Sequence, residues 1–227
     1  MGMRKLSTVD YPKKLCLDLT IAGCNYRCPF CPHEDLIYHY IPMEKTSLEE
    51  LVKILRPRLG FLDGVSLSGG EPLLHRPLLD FLKELKFQGS LIRIKTNASR
   101  PKAIQILIDK HMVDFFSVFI PAPLSKYKKV VNYNIDVDEI ASAIQIIRKS
   151  GINHEFRVKP VPGLIGKPEL MEIANYLVGA PRFVIERFEP LKSMDVNYRD
   201  VKAFSDEALF EMRDSVAPYF NEAIVES

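Results

Sequence analysis

The chain has 227 residues, 47% of them hydrophobic, and a formal net charge of +2. That is enough apolar material for a sizeable core, and too little charge to mark a nucleic-acid surface by itself. No stretch approaches the roughly 18 apolar residues of a membrane helix, and Met1–Lys5 lacks the apolar core of a signal peptide.

The first strand expected is Leu15–Ile21, led in by Ser7-Thr8-Val9-Asp10-Tyr11-Pro12, where Asp10 and Tyr11 shape a turn ahead of the proline. Next comes Cys24-Asn25-Tyr26-Arg27-Cys28-Pro29-Phe30-Cys31-Pro32. Three thiols at spacings of three and two residues can converge on one small inorganic object. A cubane iron–sulfur cluster takes four thiolates, so a loop supplying Cys24, Cys28 and Cys31 leaves one iron open to a non-protein ligand. Zinc on these three with His33 or Cys16 is the alternative, although zinc modules usually show two separated ligand pairs. A disulfide fits poorly, because three thiols cannot all pair and nothing looks secreted. Thiolates and an open cluster both call for a reducing cytoplasm. Cys16 reads as a buried strand residue, and His33, His39, His75, His111 and His154 form no pair at metal-ligand spacing.

A capping box, Ser47 with Glu50, precedes Leu48, Leu51, Val52 and Leu55, and Pro57 is expected to limit that helix. Strand Val65–Ser68 runs into Ser68-Gly69-Gly70-Glu71-Pro72. A loop at the carboxyl end of a strand is where α/β folds place ligands. Two glycines allow close backbone approach, and Glu71 can accept from a bound ammonium or order the loop. Pro77 opens a helix carrying Leu78, Leu79, Phe81, Leu82 and Leu85, and Pro101 one carrying Ile104, Leu107 and Ile108. Asp136 and Glu139 cap a helix with Ile140, Ile144 and Ile147. Pro168 opens another, and Ser205 caps a last one through about Tyr219. Between them lie strands Leu91–Thr96, Phe115–Ile120, His154–Val161 and Phe183–Phe188.

Strand and helix alternate through six βα units, which predicts an α/β fold with a parallel sheet and right-handed crossovers, too few units for an eight-stranded barrel. No linker or composition shift divides residues 1–227, so one domain is expected. Arg93 and Lys95 alternate with Ile92 and Ile94, and Glu155, Arg157 and Lys159 with Phe156 and Val158. At a side-chain period of two each charged set shares one face. Such charges need partners or water, which fits a polar cavity in an incompletely filled barrel; strands facing solvent would be the other reading.

The cysteine loop, with Phe30 before its last cysteine, resembles that of radical S-adenosylmethionine (SAM) enzymes, and Gly69-Gly70-Glu71-Pro72 resembles the motif that meets the SAM amino group. The resemblance implies a partial (β/α)6 barrel. It also implies a 4Fe–4S cluster on Cys24, Cys28 and Cys31 whose open iron is chelated by SAM, and reductive cleavage of SAM to a 5′-deoxyadenosyl radical. The Asp10-Tyr11-Pro12 lead-in, Ala122-Pro123 with Lys126-Tyr127, and Glu155-Phe156-Arg157 running to Val161-Pro162-Gly163 are similar to anaerobic ribonucleotide reductase activating proteins. Those are glycyl-radical-enzyme activases, which implies a protein substrate with a target glycine and an electron donor such as ferredoxin or flavodoxin. Arg157 matches the family arginine near the SAM carboxylate. Two segments depart from the activases: Lys95-Thr96-Asn97-Ala98 stands for Asp-Thr-Asn-Gly, and Phe119-Ile120-Pro121-Ala122-Pro123 for Asp-x-Lys-Ala-Pro. The resemblance implies that Lys95, Phe119 and Pro121 line the methionine end of the SAM pocket, with Thr96 and Asn97 in the cofactor site, and Lys95 is expected to support the SAM carboxylate opposite Arg157. Other targets (a peptide, a nucleotide, a tRNA base) and a non-catalytic metal-binding relative are the alternative functions.

Overall fold

A computed structural model of the chain describes residues 2–7, 11–12, 14–38 and 48–226. Eight strands form one sheet: β1 Gly2–Ser7, β2 Cys16–Ile21, β3 Gly64–Gly69, β4 Leu91–Thr96, β5 Phe115–Phe119, β6 Asn153–Val158, β7 Arg182–Glu186 and β8 Glu222–Glu226. They lie in sequence order across it. β2 to β8 run parallel, and β1 adds antiparallel to β2. A strictly consecutive order means every crossover winds the same way, so helices cover one face only and the sheet curls around the other. All six strands expected from the sequence are present. The structure adds β8 as a seventh parallel strand and β1 at the opposite edge.

The helices are α1 Glu34–Ile37, α2 Leu48–Leu59, α3 Leu78–Phe87, α4 Pro101–Asp109, α5 Tyr127–Val131, α6 Val137–Lys149, α7 Lys167–Tyr176 and α8 Asp206–Val216. Their starts follow local chemistry. Pro101 is the first residue of α4, where its missing N–H costs nothing. The Asp136 carboxylate accepts from Asp138 N–H at α6, and the Ser205 hydroxyl accepts from Ala208 N–H at α8. Pro57 does not stop α2, which runs two residues further to Leu59. So close to the carboxyl end, proline removes one hydrogen bond and leaves the last turn free to form. Ser47, the expected α2 cap, together with Thr8–Asp10 and His39, lies outside the described residues. Among the described residues no helix is long and apolar enough to cross a membrane.

The apolar sides of the strands, among them Leu19, Leu67, Ile94, Val118, Phe156 and Ile185, pack under the helical stripes of Leu82, Ile104, Ile144 and Ile173. Cys16 is 0% exposed in a separate small cluster with Tyr11 and Phe115, at the amino end of β2. The opposite face carries Asp18, Ser66, Arg93, Ser117, Glu155 and Arg157, all buried.

Candidate active site

The cysteine loop leaves the carboxyl end of β2 and is pinned on several sides. Gly23 N–H donates to Leu36 O at 2.8 Å, and Arg27 N–H to Val131 O at 2.8 Å, tying the loop to α1 and α5. The Arg27 guanidinium donates to the carbonyls of Cys24 and Tyr26 at 2.7 and 2.8 Å. From the segment after β7, Met194 N–H reaches Cys31 O at 3.0 Å and Asp195 N–H reaches Pro29 O at 2.9 Å. Two buried rings of the loop meet rings from elsewhere edge-on: Tyr26 against Tyr127 at 6.1 Å and Phe30 against Phe119 at 6.4 Å. Phe119 thus stands where activases have an acid and packs on the cluster loop instead.

Burial raises the Cys24 thiol to about 11 and the Cys28 and Cys31 thiols above their ordinary value. The three also oppose one another's ionisation: Cys24 and Cys31 both act on Cys28. Nearby Lys159, Lys95 and Arg27 partly relieve Cys31. A cationic iron–sulfur core supplies the counter-charge that lets three buried thiols ionise together, so the donor set fits a cluster. Among the described residues no group of three or more His, Cys, Asp or Glu is placed to hold a single metal ion. A cubane makes no such demand, because it takes each thiolate on a different iron.

Gly70 presses against this loop and Gly69 against the end of β2. Gly69 has φ +98°, and a Cβ on Gly70 would sit 2.0 Å from Gly23 O. Gly70 N–H donates to Ile21 O at 2.7 Å and Glu71 N–H to Gly23 O at 2.8 Å. The bare backbone at Gly70 lets this turn approach the backbone of the cysteine loop closely. Glu71, 0% exposed, accepts from Leu73 N–H at 3.0 Å, Thr96 Oγ1 at 2.8 Å and Asn97 N–H at 2.6 Å. Of the two roles open in the sequence, these contacts belong to ordering the loop. Burial pushes its carboxyl up to about 7 despite those donors. Pro72 begins the 3-10 turn that follows, Pro72–Leu74.

Asn97 extends the same scaffold to the thiols. Its side-chain amide lies 3.7 Å from Cys24 Sγ and donates to Asn25 Oδ1 at 3.0 Å, while Asn25 donates to Ser99 Oγ at 3.0 Å. Ala98 has φ +57° and is fully buried, so it holds the left-handed conformation of the glycine it replaces.

The inward charges of the central strands pair across the sheet. Arg93 meets Glu155 at 3.0 Å and donates to the hydroxyls of Ser66 and Ser117. Arg157 meets Glu155 and Glu186 at 2.7 Å each, and Glu226 as well. Lys95 points inward rather than to solvent, with its ammonium 2.6 Å from Glu186. The charges on this face are therefore paired with one another across the sheet. Glu186, Glu226, Asn25 and Ser99 were not singled out from the sequence. Glu186 is the findable one, since it lies inside the expected strand Phe183–Phe188 and ends the observed β7.

An open, singly wound sheet with three thiols on the loop after its first parallel strand defines a radical SAM protein. The chain belongs to that family: the Radical SAM superfamily profile matches residues 19–174. Membership implies a 4Fe–4S cluster and SAM as its cofactors. A Methanocaldococcus jannaschii protein named as a glycyl-radical enzyme activating enzyme is 26% identical over 230 residues, covering 99% of this chain and 94% of that one. The pyruvate formate-lyase-activating enzyme of Staphylococcus epidermidis is 36% identical over 102 residues, 43% of this chain and 40% of that one. Streptococcus suis SuiB bound to S-adenosylmethionine shares the fold, with a TM-score of 0.71 at 17% identity, over 92% of this chain and 50% of that one.

Proposed function

We propose that this radical SAM enzyme is a glycyl-radical-enzyme activase, removing a hydrogen atom from one glycine Cα of a partner enzyme. The observation that carries the reading is the similarity to a protein named for that activity, which runs over 99% of the chain. Cys24, Cys28 and Cys31 would hold the cluster, and Phe30 braces their loop against Phe119. Gly69, Gly70, Glu71 and Pro72, with Thr96 and Asn97, form the loop pair that shapes the SAM amino-acid site. Arg157 and Lys95 supply positive charge on the SAM carboxylate side. When bound and reduced by one electron from a carrier such as flavodoxin or ferredoxin, the cluster and SAM supply a 5′-deoxyadenosyl radical, which the protein only positions.

The test is anaerobic reconstitution with iron, sulfide, SAM and a strong reductant, with and without a glycyl radical enzyme from the same source. The expected result is 5′-deoxyadenosine together with a glycyl radical signal in the partner's electron paramagnetic resonance spectrum. Formation of 5′-deoxyadenosine with no glycyl signal in any such partner would move the target to another substrate.

A further inference from the structure

Arg157 on β6 is 4% exposed and is met by three carboxylates: Nε by Glu186, Nη1 by Glu155 and Nη2 by Glu226. Two of these acids are held from other sides as well. Glu155 also meets Arg93 at 3.0 Å, the Ser117 hydroxyl at 2.7 Å and Arg182 at 3.5 Å. Glu186 also meets Lys95 at 2.6 Å and Lys159 at 3.6 Å. For Glu226, Arg157 is the one cation paired with it among the described residues. Its side chain is the most exposed of the three, at 22% against 12% and 1%. It stands on the edge strand β8 directly beside Glu186, its register partner, on the same face. Like charges directly opposite on neighbouring strands repel; the shared guanidinium offsets this for both acids, and Lys95 and Lys159 do so further for Glu186.

We propose that Glu226 is a placeholder carboxylate, occupying the part of Arg157 that the SAM carboxylate takes and leaving when SAM arrives. The proposal rests on the reading of Arg157 as the partner of the SAM carboxylate. A fourth carboxylate brought to this guanidinium meets repulsion from the three already there, and Glu226 is the one with the fewest ties and a path to solvent. Without a placeholder, a buried guanidinium would lose a partner whenever SAM leaves, which is costly for a desolvated charge. The consequence is competition within the chain: Glu226 lowers the apparent affinity for SAM.

The experiment measures SAM affinity by titration calorimetry on the anaerobically reconstituted holoenzyme without reductant, so that nothing turns over. Wild type, Glu226→Gln, Glu226→Ala, Arg157→Ala and the Arg157→Ala/Glu226→Gln double variant are compared. Both Glu226 variants should bind SAM about tenfold tighter, the scale of one charge-assisted contact no longer displaced. Arg157→Ala should bind more weakly, and in that background Glu226→Gln should bring no gain, because the two residues act on one contact. Unchanged or weaker binding by the Glu226 variants, with Arg157→Ala weakened, overturns the placeholder and leaves the Arg157 reading standing. A gain from Glu226→Gln that survives in the Arg157→Ala background also overturns it. Unchanged affinity in Arg157→Ala removes the underlying reading and the proposal with it.

Discussion

Glu71 and Ala98 show how much a single side chain of this site gives up to hold two loops together. Ala98 keeps φ +57° without being glycine. The left-handed region costs an L-residue roughly 1–2 kcal/mol, and glycine's looser unfolded state returns part of any gain. Ala98→Gly should therefore raise stability by about 0.5–1 kcal/mol, read from the urea midpoint at unchanged slope. The Asn97-Ala98 turn was legible as a departure from the family's Asn-Gly, because the backbone demand is local. The duties of Glu71 were not. Its acceptors serve donors at Thr96 and Asn97, some 25 residues away, and no local spacing encodes that meeting.

At the scale of elements, the cysteine loop and the β3–α3 loop behave as one unit, joined through Gly70 and Glu71 backbone bonds to Ile21 and Gly23. Gly70→Ala places a methyl group against Gly23 O, a backbone atom that cannot swing aside. That substitution should cost about 3 kcal/mol, the upper range of overpacking, and should lower cluster content although Gly70 is no ligand. Iron and sulfide analysis after reconstitution checks it. In the same assay Cys24→Ala, Cys28→Ala and Cys31→Ala should each abolish the cluster, while Cys16→Ala, buried against Tyr11 and Phe115, should retain it. About four irons per chain kept by Cys28→Ala would remove the assignment. The elements themselves were readable where caps and apolar periods were strong, as at Pro101 and Ser205. β8 escaped because Glu222-Ala-Ile-Val-Glu226 is short and closes with an acid, and what makes it a strand is the open edge of β7 beside it.

Across the whole molecule, stability should respond to pH through two sets of carboxyls with opposite sign. Glu71 is raised from 4.5 to about 7 by burial. Its contribution is fully present below about 4.5 and is lost as the pH rises to about 7, because the folded protein holds a proton the unfolded chain has released. The span corresponds to on the order of 3 kcal/mol. Burial also works against ionised Glu155 and Glu186, but Arg157 and Arg93 around the first, and Lys95, Arg157 and Lys159 around the second, outweigh it and hold both carboxyls low. Their contribution is present above about 4.5 and is lost as the pH falls through their lowered values. That these charges share one face is visible in the alternation of Arg93 and Lys95 with Ile92 and Ile94, and of Glu155 and Arg157 with Phe156 and Val158; which acid answers which base is not, since it depends on register between strands about 30 to 90 residues apart. Denaturant unfolding of the anaerobically purified protein from pH 4 to 8 separates the two sets. Glu71→Gln should flatten the decline between about pH 4.5 and 7 and leave the acid-side loss intact. Glu155→Gln should lower stability by about 3–5 kcal/mol at neutral pH, because it leaves Arg93 short of its only acidic partner among the described residues and Arg157 and Arg182 each short of one. The same variant should shrink the acid-side loss, since one of the low-lying carboxyls no longer titrates. A Glu155→Gln protein as stable as wild type at pH 7 would mean that the interior charges are satisfied by water, and that the pairs across the sheet carry no weight in the fold.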